Sequence, residues 1–211
     1  NLLHSGLMKD GHEHAGDGEY FNFDFVYKKI KDQVTAADYA IINQESIILH
    51  EKYLPKKDTV DQKYYRSDGS FVTPIEMLGT LSRLGFDAFD MANNHALDMG
   101  SAGLQWSLDY LHKQDDLLFF GAYYDDADRA NIRVVEVNGI RIALLAYTYG
   151  TNVPAEKAHG EEPEFRFVVP YIDDEKMIAE LRAANEVADF TAVFMHWGTE
   201  YSFDPDELQL H

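Results

Sequence analysis

Two periods run through the apolar positions of this chain. Apolar residues recurring every three or four positions predict amphipathic helices, and short unbroken apolar runs predict strands buried on both faces. Val26, Ile30 and Val34, spaced by four, predict a helix over residues 24–34. Thr73-Pro74-Ile75-Glu76 reads as a capping box with proline at the first helical position, and Gly85 closes that helix. Leu104, Leu108 and Leu111 predict a helix over 101–113. Asp173 caps a last helix, on which Met177, Ile178, Leu181 and Ala184 share a face.

The unbroken runs predict strands at 39–42, 88–92 and 190–195. Between the second and third lies a hairpin, 132–137 and 141–147, turning on Asn138-Gly139. No repeat or low-complexity linker interrupts the chain, so residues 1–211 are expected to form one domain. Helices alternating with buried strands, plus one hairpin, predict an α/β sandwich rather than an all-β fold.

Each buried strand releases polar side chains at its carboxyl end. Asn43-Gln44-Glu45 follows the first, Asn93-Asn94-His95 with Asp98 follows the second, and His196-Trp197-Gly198-Thr199-Glu200 follows the third. In open α/β sheets that edge is where ligands bind. Carboxylate, amide oxygen and imidazole together suit a hard-to-borderline divalent metal such as Mn, Fe or Zn.

Charge and composition narrow the classes. With 37 acidic against 18 basic residues the formal charge is −19, and 45% of the residues are hydrophobic, too many for a disordered acidic tail. A nucleic-acid partner is excluded for want of a basic stripe. Cysteine is absent, which removes disulfides, thiolate zinc sites and cysteine nucleophiles. The longest apolar run, residues 142–147, is far short of the roughly 20 residues that cross a bilayer.

Ala92-Asn93-Asn94-His95-Ala96-Leu97-Asp98-Met99-Gly100 resembles the central motif of the CapA family, the poly-γ-glutamate capsule synthesis proteins. The resemblance extends to Ala37-Asp38 with Asn43-Gln44-Glu45, to Asn138-Gly139-Ile140 with Tyr147-Thr148-Tyr149-Gly150, and to His196-Trp197-Gly198-Thr199-Glu200-Tyr201. It implies a calcineurin-like metallophosphatase-type fold, two β-sheets flanked by helices, built around two divalent metals. The family's domain usually opens with a Gly-Asp and ends with a histidine-rich segment. Neither occurs in this sequence, so the fold is expected to be incomplete and tight metal binding by this stretch alone is expected to be weak.

The resemblance also implies roles. Glu45, Asn94 and His196 correspond to metal ligands, and His95 to a residue that touches substrate and protonates a leaving group. Asp98 either orients His95 or caps the following helix. Asn43 is expected to fix its loop through backbone hydrogen bonds, and Asn93 belongs to the same polar cluster. His4 lies near the missing Gly-Asp and is a further candidate, and Glu200 either supports a ligand or touches substrate. His12-Glu13-His14 is expected in a solvated loop, and the acidic clusters at 125–126, 161–164 and 204–207 on solvated faces.

Three functions follow from the resemblance. The first is synthesis, export or anchoring of poly-γ-glutamate, with metal-dependent hydrolysis as the chemistry if the protein is catalytic. The second is a non-catalytic subunit that scaffolds a membrane synthase. The third is a phosphodiesterase acting on a phosphoester unrelated to capsule. The implied location is the outer face of the cell membrane, with any anchor outside this sequence.

Overall fold

A computed structural model of the chain describes residues 5–53 and 71–211. Its strands are β1 (Ile41–Asn43), β2 (Ile47–Leu49), β3 (Val72–Pro74), β4 (Ala88–Asp90), β5 (Leu118–Phe120), β6 (Arg133–Val137), β7 (Ile140–Thr148) and β8 (Phe190–His196). The helices, in chain order, are α1 (Ser5–Glu13), α2 (Asp24–Tyr27), α3 (Lys31–Thr35), α4 (Ile75–Leu84) and α5 (Gly100–Leu111). They continue with α6 (Asp126–Ala130), α7 (Ala155–Glu161), α8 (Asp174–Val187) and α9 (Glu207–Leu210).

The fold is mixed α/β, with largely parallel sheets between helices. One sheet has the order β1-β4-β5, all parallel; the other has the order β6-β7-β8, antiparallel then parallel; β2 and β3 form a small parallel pair beside them. Alternation along each strand decides what each face meets. Phe89 and Phe119 turn outward into the core built with α1, α4 and α5, while Ala88 and Phe120 turn inward toward Leu144 and Ala146 of the second sheet. Phe120 meets Phe194 of β8 edge-on across that gap, ring centres 5.3 Å apart. The other face of β7, through Ala143, Leu145 and Tyr147, packs on α8. The layers therefore run helices, sheet, sheet, helix. Full burial of side chains such as Phe89, Phe120 and Leu104 contributes roughly 1.5–3 kcal/mol each relative to exposure.

The expected sandwich is present, and so is the hairpin, with Asn138 at φ 52° and Gly139 at φ 82°, the two left-handed residues a type I′ turn needs. Asp173 caps α8 by accepting from the Lys176 amide at 3.1 Å. Other expectations fail for identifiable reasons. The helix over 24–34 is broken into α2 and α3, because the core takes Phe21, Phe23 and Tyr27 and leaves Ile30 exposed. Thr73 does not cap α4: it is buried in β3, where its hydroxyl pairs with Ser46 and accepts from Gln44 at 3.3 Å. Pro74 is the residue before the helix rather than its first.

Residues 12–14 are not a loop throughout. His12 and Glu13 close α1, and His12 bonds the Tyr20 carbonyl at 2.8 Å. The acidic clusters also do structural work. Asp125 and Asp206 cap α6 and α9, and Glu162 reaches the start of α5, taking the Ala102 amide at 2.8 Å.

Candidate functional site

The site is assembled where the two sheets' carboxyl ends converge. After β1 the chain is locked to β4, the Gln44 amide donating to the Asp90 carbonyl at 2.8 Å. The buried Gln44 side chain donates to the Ser46 carbonyl at 2.7 Å. That fixes both neighbours of Glu45 and leaves its own side chain at a cleft.

Asn93 is the hub of the second loop. Its amide nitrogen donates to the Gln44 carbonyl at 2.9 Å and to Asn43 Oδ1 at 3.3 Å, and its Oδ1 accepts from the His95 backbone at 3.1 Å. Asn93 thus ties the first loop to the second and starts the turn that presents Asn94 and His95. Asn43 serves by side chain-to-side chain pairing with Asn93.

Beneath that turn lies Asp90, whose Oδ1 accepts from the Ala92 amide at 2.8 Å. Burial between the sheets pushes its carboxyl up to about 7. Gly121, at φ +83°, makes the close approach feasible: a Cβ there would stand 2.7 Å from the Ala92 nitrogen and 2.8 Å from Asp90 Oδ1.

His95 is buried, with Nδ1 2.7 Å from Asp98 Oδ2. The same carboxylate oxygen accepts from the Phe71 amide at 2.7 Å, and the Phe71 ring meets His95 edge-on at 4.9 Å. Of the two readings of Asp98, the orienting one has the geometry; the residue at the cap of α5 is Met99, whose side chain makes no capping bond. With Nδ1–H donated to Asp98, the assignment leaves Nε2 as the atom for proton exchange.

His196 ends β8 and so comes from the second sheet, facing Asn94 across the sandwich rather than along one sheet edge as the sequence pattern implied. Its Nε2 is 2.9 Å from Asn94 Oδ1 and 3.7 Å from Glu45 Oε1. Burial holds the imidazole below the usual histidine range, and Glu45 opposes that shift. Tyr149 stacks on it, rings 13° from parallel with centres 6.1 Å apart.

Among the described residues no three His, Cys, Asp or Glu side chains cluster as a metal site. The convergent set here is one carboxylate, one imidazole and one amide oxygen. Two donors about 2.1 Å from a shared cation stand roughly 3.0–3.6 Å apart at ligand angles of 90–120°. The two spacings from His196 Nε2, 2.9 Å to Asn94 and 3.7 Å to Glu45, lie just outside that range on either side.

Together these groups line a cleft of about 700 Å³. Glu200 is at its mouth, exposed, beside Tyr201. His4 lies outside the described residues. Sequence reasoning missed Asn152, whose backbone amide donates to the Asn94 carbonyl at 2.7 Å and whose Oδ1 accepts from Asn94 Nδ2 at 3.3 Å. The signal was available: Asn152 follows the one long strand, β7, whose polar exit was not treated like the other three.

Comparison with known proteins finds a family model, two relatives and one solved structure. The family model described as "Bacterial capsule synthesis protein PGA_cap" matches residues 1–211. The chain is 29% identical over 187 residues to the PGA biosynthesis protein CapA of Bacillus subtilis (strain 168), covering 88% of this chain and 46% of that protein. It is 27% identical over 196 residues to the capsule biosynthesis protein CapA of Bacillus anthracis, covering 90% and 44%. The chain thus spans just under half the length of these relatives, 46% and 44%. A crystal structure described as a 5′-nucleotidase of Staphylococcus aureus in complex with alpha-ketoglutarate covers 92% of this chain and 36% of its own, at 14% identity and a TM-score of 0.48, a similarity too distant to support an inference.

Proposed function

The chain belongs to the bacterial capsule synthesis protein family PGA_cap, and from that premise we propose that it acts in capsule polymer synthesis at the cell surface by metal-assisted hydrolysis in the cleft. One observation carries the proposal: the oriented His95–Asp98 pair, 2.7 Å apart, shares a cleft with the convergent donors Glu45, Asn94 and His196. Packing alone does not require Glu45, Asn94, His95 and His196, from three strand ends, to meet there.

When bound, a divalent cation would polarise the phosphoryl or carbonyl oxygen of a substrate and lower the pKa of a water. Glu45, Asn94 and His196 would hold it. Asp98 keeps the His95 ring in one tautomer and one orientation, so that Nε2 faces the cleft. In its protonated form His95 gives that proton to the departing oxygen or nitrogen, and Asp98 retains the hydrogen bond to Nδ1 throughout. Asn93 and Asp90 keep the turn in place, and Phe71 screens the His95–Asp98 bond from water.

The test uses Mn²⁺ with a generic phosphodiester and a γ-glutamyl peptide. Wild type is expected to hydrolyse at least one, and His95→Ala is expected to lower kcat by roughly 100- to 10,000-fold. No turnover by wild type, together with co-purification with membrane synthase components, would replace hydrolysis with scaffolding.

A further inference from the structure

Besides Tyr149 and Phe71, which pack on His196 and His95, the cleft has two exposed aromatic rings at its rim. Trp197 is 38% exposed and Tyr201 93% exposed, and both line the cleft that holds His95 and His196. Tyr201 is also held at φ +62°, in the left-handed region, which costs a non-glycine residue roughly 1–2 kcal/mol. A residue in that conformation is usually compensated by packing; this ring is out in solvent. Its side chain bonds only the neighbouring Glu200 among the interactions described for it, and a backbone outlier beside a candidate site points to ligand contact.

Charge makes the choice of ligand sharper. Among the described residues lining the cleft there is no Lys or Arg, and the carboxylates are Glu45 and Glu200. One divalent cation on Glu45 would leave the cleft near neutrality once Glu200 is counted. Such a site accommodates a substrate with a single anionic group at the cation. A γ-linked glutamate chain brings a carboxylate with every residue, and among the described residues of this rim the others meet no Lys or Arg.

We propose that the cleft takes a ring-bearing phosphoester, its phosphate toward Glu45, Asn94 and His196 and its flat or pyranose ring stacked on Trp197 and Tyr201, rather than a bare poly-γ-glutamate strand. This rests on the placement of the cation at those donors. Ring faces stack on aromatic side chains whatever their edge chemistry, so a nucleoside and a hexose share the same platform.

The chain has two tryptophans, so Trp106→Phe leaves Trp197 as the sole reporter of stacking. In that background with Mn²⁺, fluorescence is titrated with a nucleoside 5′-monophosphate, a hexose 1-phosphate, inorganic phosphate and tri-γ-glutamate. At least one ring phosphate is expected to perturb Trp197 and to bind roughly tenfold more tightly than inorganic phosphate. Tyr201→Ala should remove most of that gain and leave inorganic phosphate unaffected. Ring phosphates binding no better than inorganic phosphate, or worse than tri-γ-glutamate, would overturn the proposal. If no phosphate binds, the cation placement has failed, and the platform is then judged with the free nucleoside and methyl glucoside: quenching lost in Tyr201→Ala upholds it, and an unchanged Trp197 signal refutes it.

Discussion

The loops after β4 and β8 both deliver a histidine to the cleft, yet they are built in opposite ways. The β4 loop is buried from Asn93 to Asp98 apart from Asn94, and Asn93, Asn94, His95 and Asp98 all have hydrogen-bond partners. The β8 loop leaves the sheet through Gly198 at φ +94° and Tyr201 at φ +62°, and displays Trp197, Tyr201 and Phe203 to solvent. Its ties are local, between near neighbours in sequence, among them the Ser202 amide to the Thr199 carbonyl at 3.1 Å and the Thr199 hydroxyl to Asp206 at 3.2 Å. A group that must hand over a proton at one atom needs the first design. A rim that meets the far end of a substrate tolerates the second.

This contrast has measurable edges, and the largest concerns a proton beneath the β4 loop. Asp90 has a carboxyl raised by burial from 3.8 to about 7, so the folded chain holds a proton there that the unfolded chain releases. The resulting stability is fully present below about pH 4 and is lost as pH rises through about 7. Its size is on the order of 4 kcal/mol at most. Denaturant midpoints measured from pH 4 to 8 should fall along that window in wild type and flatten in Asp90→Asn, which keeps an oxygen for the Ala92 amide.

Asn93→Ala comes next. It strands the buried Gln44 carbonyl and His95 amide, and should cost roughly 2–4 kcal/mol in chemical denaturation. A cost under 0.5 kcal/mol, the scale of an ordinary surface change, would mean the loop is not held as described.

How much of this was legible in the sequence follows the same divide. Apolar runs mark β4, β7 and β8, but of these only β4 is buried along its whole length. Strand β8, expected to be buried on both faces, leaves Phe190 and Val193 exposed because no further layer among the described residues covers its outer side there. The Asn-His and His-Trp-Gly exits stood out because polar residues are costly at the end of such a strand. Strands β2, β3 and β5 have three residues each and carried no period; β4 is as short, but its apolar run continues through Met91 and Ala92. Thr73 carried a helix-start signal that tertiary pairing with Ser46 and Gln44 overrode. Nor did local pattern reveal that His196 crosses from a different sheet, or that Asp98 serves His95 rather than α5; both depend on how the sheets stack.

The smallest effect belongs to the exposed loop. Tyr201→Gly relieves the left-handed backbone without uncovering any core, so stability should rise by no more than about 1 kcal/mol. A marked loss of stability would show that the ring packs against something and is not free for a ligand.

The central claim is that Glu45, Asn94 and His196 form one cation site from two sheets. Calorimetric titration with Mn²⁺ tests it most directly, comparing wild type with Glu45→Gln and His196→Ala. One Mn²⁺ per chain is expected, bound more weakly than micromolar, with no binding in either variant. Binding that survives both substitutions, or its absence from wild type, would contradict it.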